Sequence, residues 1–271
     1  MRILTPNSII RLLAGAFIIS GLGLSTGWCD EGATLAKIRQ RDRLVVGSKQ
    51  AIPTFNIKDP ATARNEGFFA DLSRALARHL LGDENKVEFH LTSDENRFPK
   101  LTSGEVDVLI DTIPTSEEKE RLADRSDETF LSGSGLLVKK GSAIRSLADI
   151  KAGTRVAYVA ANKDIAIIRS HAPGAIYLEH ESSTEALKTL KEGRADVFTQ
   201  VVTHLFRAAS QERDYTVTGR VTTKPYYIFL RKGDDEMRAQ LNDFLRSLRE
   251  SGEYDRLYRK WFSPLGGDAI R

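Results

Sequence analysis

The sequence predicts an α/β fold of two similar lobes, each a mostly parallel sheet flanked by helices, joined by two crossing strands. Three observations carry this reading: two runs of alternating strand and helix patterns, a turn signature present once in each run, and an extended small-residue segment between them. Short apolar strands alternating with amphipathic helices build parallel sheets covered on their faces.

In the first run, residues 43–47 (RLVVG) form a short buried strand ended by a glycine. Residues 69–81 place Phe69, Leu72, Leu76 and Leu80 on one helical face, with Gly82 at the stop position. Residues 86–91 alternate as a strand, 96–103 form a short helix, and 105–110 form the next strand. The second run repeats the plan: strand 155–159, helix 164–171, strand 175–179, helix 184–191, strand 195–199. Residues 101–108 read Leu-Thr-Ser-Gly-Glu-Val-Asp-Val, and residues 190–197 read Leu-Lys-Glu-Gly-Arg-Ala-Asp-Val. In each, a helix ends at Gly104 or Gly193 and a strand is entered through Asp107 or Asp196. Glycine suits a left-handed helix cap. Any α/β protein reuses this turn, but its appearance in both strand–helix–strand runs favours a duplicated lobe.

Residues 131–142 (LSGSGLLVKKGS) read as a segment crossing between lobes, and residues 224–233 (KPYYIFLRKG) as a strand crossing back. The helix at 235–250 sets Met237, Leu241, Phe244, Leu245 and Leu248 on one face. Tyr254, Leu257, Tyr258, Trp261 and Phe262 follow at helical spacing, as core packing rather than a ligand cage. Lobe one is then residues 34–133 plus 226–262, lobe two is 134–225, and 263–271 is a tail. Two crossing strands leave a cleft that closes by a few backbone rotations.

Residues 1–29 read as a secretory signal: Arg2 and Arg11 precede an apolar run at 12–24, then Ser25, Thr26 and Gly27. Cleavage is expected after Cys29, releasing a soluble periplasmic chain. A lipid anchor on Cys29 is the alternative, disfavoured by the bulk of Trp28. Without the signal's two arginines, 38 Lys+Arg face 37 Asp+Glu. This balance, with no basic block, argues against nucleic-acid binding. No later segment is apolar and long enough to insert in a bilayer. Cys29 is the sole cysteine, so the exported chain must stand on its core without disulfides.

Catalytic patterns are sparse. His79, His90, His171, His180 and His204 show no metal-binding spacing. Gly133-Ser134-Gly135 opens a crossing strand rather than a nucleophile elbow. Phosphate and dinucleotide loops are missing, so no cofactor or metal is expected and the chain does not read as an enzyme.

From about Leu35 to Phe262 the chain resembles the type 2 periplasmic binding proteins of the polar amino acid class, bacterial solute-binding protein family 3. The resemblance rests on residues 43–47 with Pro53-Thr54-Phe55-Asn56, Glu66-Gly67-Phe68 with Ala70-Asp71-Leu72, and Asn96-Arg97-Phe98-Pro99-Lys100-Leu101. Residues 103–108, 132–142 and the ending at 252–262 (GEYDRLYRKWF) complete it. It implies a periplasmic binding protein-like II fold that captures a small polar or carboxylate ligand. The monomer would then deliver that ligand to the membrane permease of an ABC transporter.

The resemblance also implies ligand anchors, and four depart from the family pattern. The arginine that clamps an α-carboxylate is Lys119, which keeps the charge without the planar fork. A threonine five residues earlier is Pro114, and the Gly-Ser/Thr turn of lobe two is Ala160-Ala161-Asn162-Lys163. The aspartate for the ligand's ammonium is Val201, beside Gln200. Loop drift or a one- or two-residue slip is the bland explanation; a changed ligand is the sharper one. Asp111, beside Thr112, then supplies the negative charge from lobe one. Lys49, Arg97, Lys119 and Lys163 would make a basic cleft, each singly an ordinary solvated cation otherwise. Phe55 stands where the family places an aromatic ligand wall; the alternative is lobe-one core. The expected ligand contacts are therefore Lys49, Phe55, Arg97, Asp111, Thr112, Lys119, Asn162, Lys163 and Gln200. A sensory or accessory binding protein, and a periplasmic dehydratase using Asp111 or Glu95, are the other functional readings.

Overall fold

The structure, a computed structural model, describes residues 33–271, so the signal reading of residues 1–29 lies outside the described residues. The first half runs α1 (Ala33–Arg41), β1 (Leu44–Ser48), β2 (Ala51–Ile52), β3 (Asn56–Lys58), β4 (Asn65–Glu66), α2 (Phe68–Leu81), β5 (Val87–Leu91), α3 (Arg97–Ser103), β6 (Val108–Pro114), α4 (Glu117–Leu122) and β7 (Ala123–Ser132). The second half runs β8 (Ser134–Lys139), β9 (Arg155–Val159), α5 (Ile165–His171), β10 (Ile176–His180), α6 (Ser183–Lys191), β11 (Val197–Val201), α7 (Val202–Gln211) and β12 (Tyr215–Arg220). Then β13 (Lys224–Arg231) returns to the first lobe, followed by α8 (Asp235–Glu250) and α9 (Glu253–Phe262).

Two five-stranded sheets result, in the orders β5-β1-β6-β13-β7 and β10-β9-β11-β8-β12. The plans match strand for strand. Three neighbouring strands and the far edge strand point the same way, and the crossing strand, β13 or β8, enters antiparallel between the third strand and that edge strand. The sheets are thus mostly parallel as expected, four strands of each pointing one way, with one reversed strand because each receives a strand coming straight from the other lobe. The hairpin sheet β2-β3-β4 has no counterpart in the second lobe.

The repeated turn has a shared physical cause. Gly104 and Gly193 both adopt left-handed φ, 80° and 69°. The aspartate that follows each then accepts a main-chain N–H of the adjacent strand, β1 or β9. Asp107 takes that of Val45 and Asp196 that of Arg155, each at 2.8 Å. A carboxylate, buried in the first lobe and partly exposed in the second, thus fastens the helix–strand turn to the neighbouring strand in both lobes.

The crossings are shorter than the sequence implied. Only Gly133 separates β7 from β8, and residues 221–223 separate β12 from β13. The two connections touch. Ser134 N–H donates to Thr222 Oγ1 at 2.9 Å, and Val221 N–H to the Ser134 carbonyl at 2.8 Å. Asp164 accepts from both hydroxyls, Ser134 at 2.6 Å and Thr222 at 2.9 Å. Residues 263–271, expected as a tail, are instead docked on the second lobe. Tyr258 Oη donates to the Gly267 carbonyl at 3.0 Å, Arg220 donates to the Ile270 carbonyl, and Ile270 is buried. The aromatic stripe is core as expected. Phe262 packs on Phe55, Phe68 and Phe130 of the first lobe and on Phe206 of the second, ring centroids 4.7–5.3 Å apart.

Gly133 has φ 130°, and a Cβ there would stand 2.0 Å from the Thr222 carbonyl oxygen. We expect Gly133→Ala to cost about 2–4 kcal/mol. Thermal unfolding reads this as a melting temperature lowered by roughly 5–15 °C; an unchanged value would contradict the close crossing.

Candidate functional site

Strands β1 and β6 of one lobe and β9 and β11 of the other end on the cleft, the usual ligand position for open α/β sheets. A cavity of about 340 Å³ lies there, lined by Lys49, Ala51, Ile52 and Thr112 from the first lobe and Thr203, His204 and Arg207 from the second. That volume is at the small end of ligand pockets, which run from ~300 to ~1,000 Å³.

The first lobe's wall is organised by Asp111, whose residue is only 2% exposed. One carboxylate oxygen accepts the Lys49 N–H at 3.2 Å, the other the Thr112 N–H at 2.7 Å. Burial pushes its carboxyl pKa up, against the pull of those two N–H groups. Asp111 therefore holds the ends of β1 and β6 together from beneath, rather than presenting a free carboxylate to a ligand ammonium.

Lys49 and Arg97 act on it, and Lys119 lies beside Arg97. Lys49 Nζ contacts Asp94 at 2.7 Å, and the Arg97 guanidinium contacts the other oxygen of Asp94 at 2.6 Å. Arg97 is buried, and its Nε has no hydrogen-bond partner among the described residues. Lys119 sits in the first turn of α4, capped by Ser116, and its Nζ donates back to the Pro114 carbonyl at 2.7 Å. Burial and then the nearby Arg97 charge hold the Lys119 ammonium below the usual lysine range.

The second lobe differs from expectation. Asn162 is buried and turned inward: its Oδ1 accepts from the Asp164 N–H at 3.2 Å and from Ser134 Oγ at 3.4 Å. It shapes the turn after β9 and presents no side chain to the cleft. Lys163 is exposed on that turn. The Gln200 Oε1 accepts its neighbour's N–H, that of Val201, at 2.9 Å.

Phe55 is a correction. It is 1% exposed and packs on Phe69, Phe130 and Phe262, with centroids 5.0–5.2 Å away. Its loop is pulled inward because α2 begins by donating the Phe68 and Phe69 N–H groups to the Thr54 and Phe55 carbonyls, each at 2.8 Å. The apolar wall of the cleft is Ala51 and Ile52 instead. Sequence reasoning also missed His204 and Arg207. The available signal was α7 itself, which buries Val202, Thr203, Leu205, Phe206, Ala208 and Ala209 and leaves His204 and Arg207 on its open side.

A cleft between two duplicated mixed sheets, with cations at the strand ends, is a capture geometry. The sequence model of the bacterial extracellular solute-binding proteins, family 3, matches residues 44–264. The chain belongs to that family. As a solute-binding protein it is 35% identical over 229 residues to the ABC transporter glutamine-binding protein GlnH of Bacillus subtilis, covering 84% of each chain. An ancestral cationic amino acid solute-binding protein shares 31% identity at TM-score 0.69, over 85% of this chain and all of that one. An ancestral cyclohexadienyl dehydratase shares 27% identity at TM-score 0.68, over 84% of this chain and 95% of the other. Among the described residues no helix is long and apolar enough to cross a membrane.

Phe55→Ala separates core from ligand wall in this solute-binding protein. The substitution should cost about 3–5 kcal/mol of unfolding free energy. Affinity of the fraction that remains folded should stay within about threefold, well under the tenfold that 1.4 kcal/mol represents. Titration calorimetry at low temperature reads this; a large affinity loss with unchanged stability would restore Phe55 to the cleft.

Proposed function

We propose that the chain is the periplasmic substrate-binding component of an ABC importer for a polar or acidic amino acid or a related small carboxylate. The observation that carries this is the pair Arg97 and Lys119. One is buried with an unpartnered Nε; the other is held below its ordinary pKa by burial and by the first. A half-buried ammonium beside a buried guanidinium that has Asp94 as its one ion-pair partner leaves room for a further anion between them. A ligand carboxylate supplies it, and closure of the second lobe then removes water from the contact and strengthens it.

The dehydratase reading needs a cleft acid or base. Asp111 accepts main-chain N–H groups at both oxygens, and Glu95 is exposed with its carboxyl pKa lowered, chiefly by Ser93. Neither position suits proton transfer to a bound ligand, so capture without chemistry is the better reading. Export and delivery to a membrane permease follow from the family's role and from the signal pattern at residues 1–29.

A thermal-shift screen of amino acids, dicarboxylates and amines tests the proposal, since tight binding to the native state raises the melting temperature. Carboxylate ligands should stabilise the protein; stabilisation by none would overturn it. Lys119→Ala should weaken a carboxylate ligand on the order of 30-fold or more; unchanged affinity would remove Lys119 from the site. The pH dependence has a definite sign. Binding needs charged Lys119, whose pKa is lowered in the free protein. Affinity therefore falls as pH rises through that lowered value, and Lys119→Arg should abolish the fall.

A further inference from the structure

The side of α7 that carries the exposed His204 and Arg207, with Thr203 buried at its edge, closes the cleft from the second lobe. Arg207 lies three residues after His204 and four after Thr203, so all three share one side of the helix. They face Lys49, Ala51, Ile52 and Thr112 across the cavity. The lining is asymmetric in charge. It holds Lys49, His204 and Arg207 and no carboxylate. Lys49 is already paired with Asp94. Arg207 makes no ion pair among the described residues. The cleft walls and Arg207 keep the His204 imidazole below its ordinary pKa, so the fixed charge on this wall belongs to Arg207.

This arrangement bears on closure. Bringing the lobes together moves Arg207 towards Lys49, and like charges resist that approach. A neutral side chain on the ligand leaves the repulsion in place. An anionic one between the two cations converts it into attraction. Ala51 and Ile52 offer apolar contact for the few methylenes that would separate such a group from the carboxylate held at Arg97 and Lys119.

We propose that Arg207, assisted by His204, is the specificity-determining wall of the cleft and reads a second acidic group, so that the preferred ligand carries two carboxylates. This rests on the carboxylate site at Arg97 and Lys119 and adds the far end of the ligand to it.

Titration calorimetry with L-glutamate and its neutral isostere L-glutamine, on the wild-type chain without its signal and on Arg207→Gln, tests it. Glutamine is a good helix former and the position is exposed, so the variant should fold. The wild type should bind glutamate at least about tenfold more tightly than glutamine. Arg207→Gln should weaken glutamate about tenfold or more and glutamine by less than about threefold, collapsing the preference. Wild-type preference for glutamine, or an unchanged ratio in the variant, would overturn the assignment of Arg207 while leaving the Arg97–Lys119 site intact. Binding of neither amino acid would overturn both.

Discussion

Two chain segments cross between the lobes, and at Gly133 they pass so closely that no side chain fits. Everything functional in the molecule follows from that crossing. A single residue separates a strand of one sheet from a strand of the other, so each lobe holds the other's chain as a structural strand. The strand ends of both sheets are thereby directed at one cleft. Asp164 ties the two crossing segments together through Ser134 and Thr222, and it stands directly after the 160–163 turn at the end of β9. Phe262 adds an apolar anchor shared by both lobes, and the docked 263–271 segment follows it.

The cleft so formed is electrostatically one-sided. Asp111 spends its carboxylate on main-chain N–H groups and fixes where Lys49 and Thr112 begin. Asp94 joins Lys49 to Arg97 from the rim. What remains is excess positive charge at a place where closure removes water. A group buried with like charges nearby is costly unless a ligand completes it. In this account the ligand is the missing anion, and closure follows from its differential contact with the two lobes rather than from any tendency of the empty protein.

Much of this architecture was legible because it is local. The turns at Gly104 and Gly193 announce themselves by spacing, and the aspartates after them each find a main-chain N–H of the adjacent strand and an arginine side chain. The helical stripes of α2 and α8 lie where periodicity puts them. The cations Lys49 and Arg97 were legible from their places after strand ends, and Lys119 from the family position of a carboxylate-clamping arginine. Other positions depend on distant chain. Phe55 reads as a loop aromatic, yet the first N–H groups of α2 draw its loop into the core. Asn162 reads as a ligand donor, yet Ser134, nearly thirty residues earlier, claims its side chain. Arg207 was passed over because its role depends on how α7 leaves β11, a junction without a loop. The 263–271 segment gave no sign of docking, since its partners lie on β12.

The central claim is that a carboxylate-bearing ligand joins the two lobes through the cations of the cleft. A crystal structure of the protein grown with L-glutamate tests it most directly. The account predicts a closed form with one ligand carboxylate between Arg97 and Lys119 and the other against Arg207. Ligand density outside the cleft, or a carboxylate lying more than about 4 Å from all three cations, beyond ion-pair reach, would contradict it.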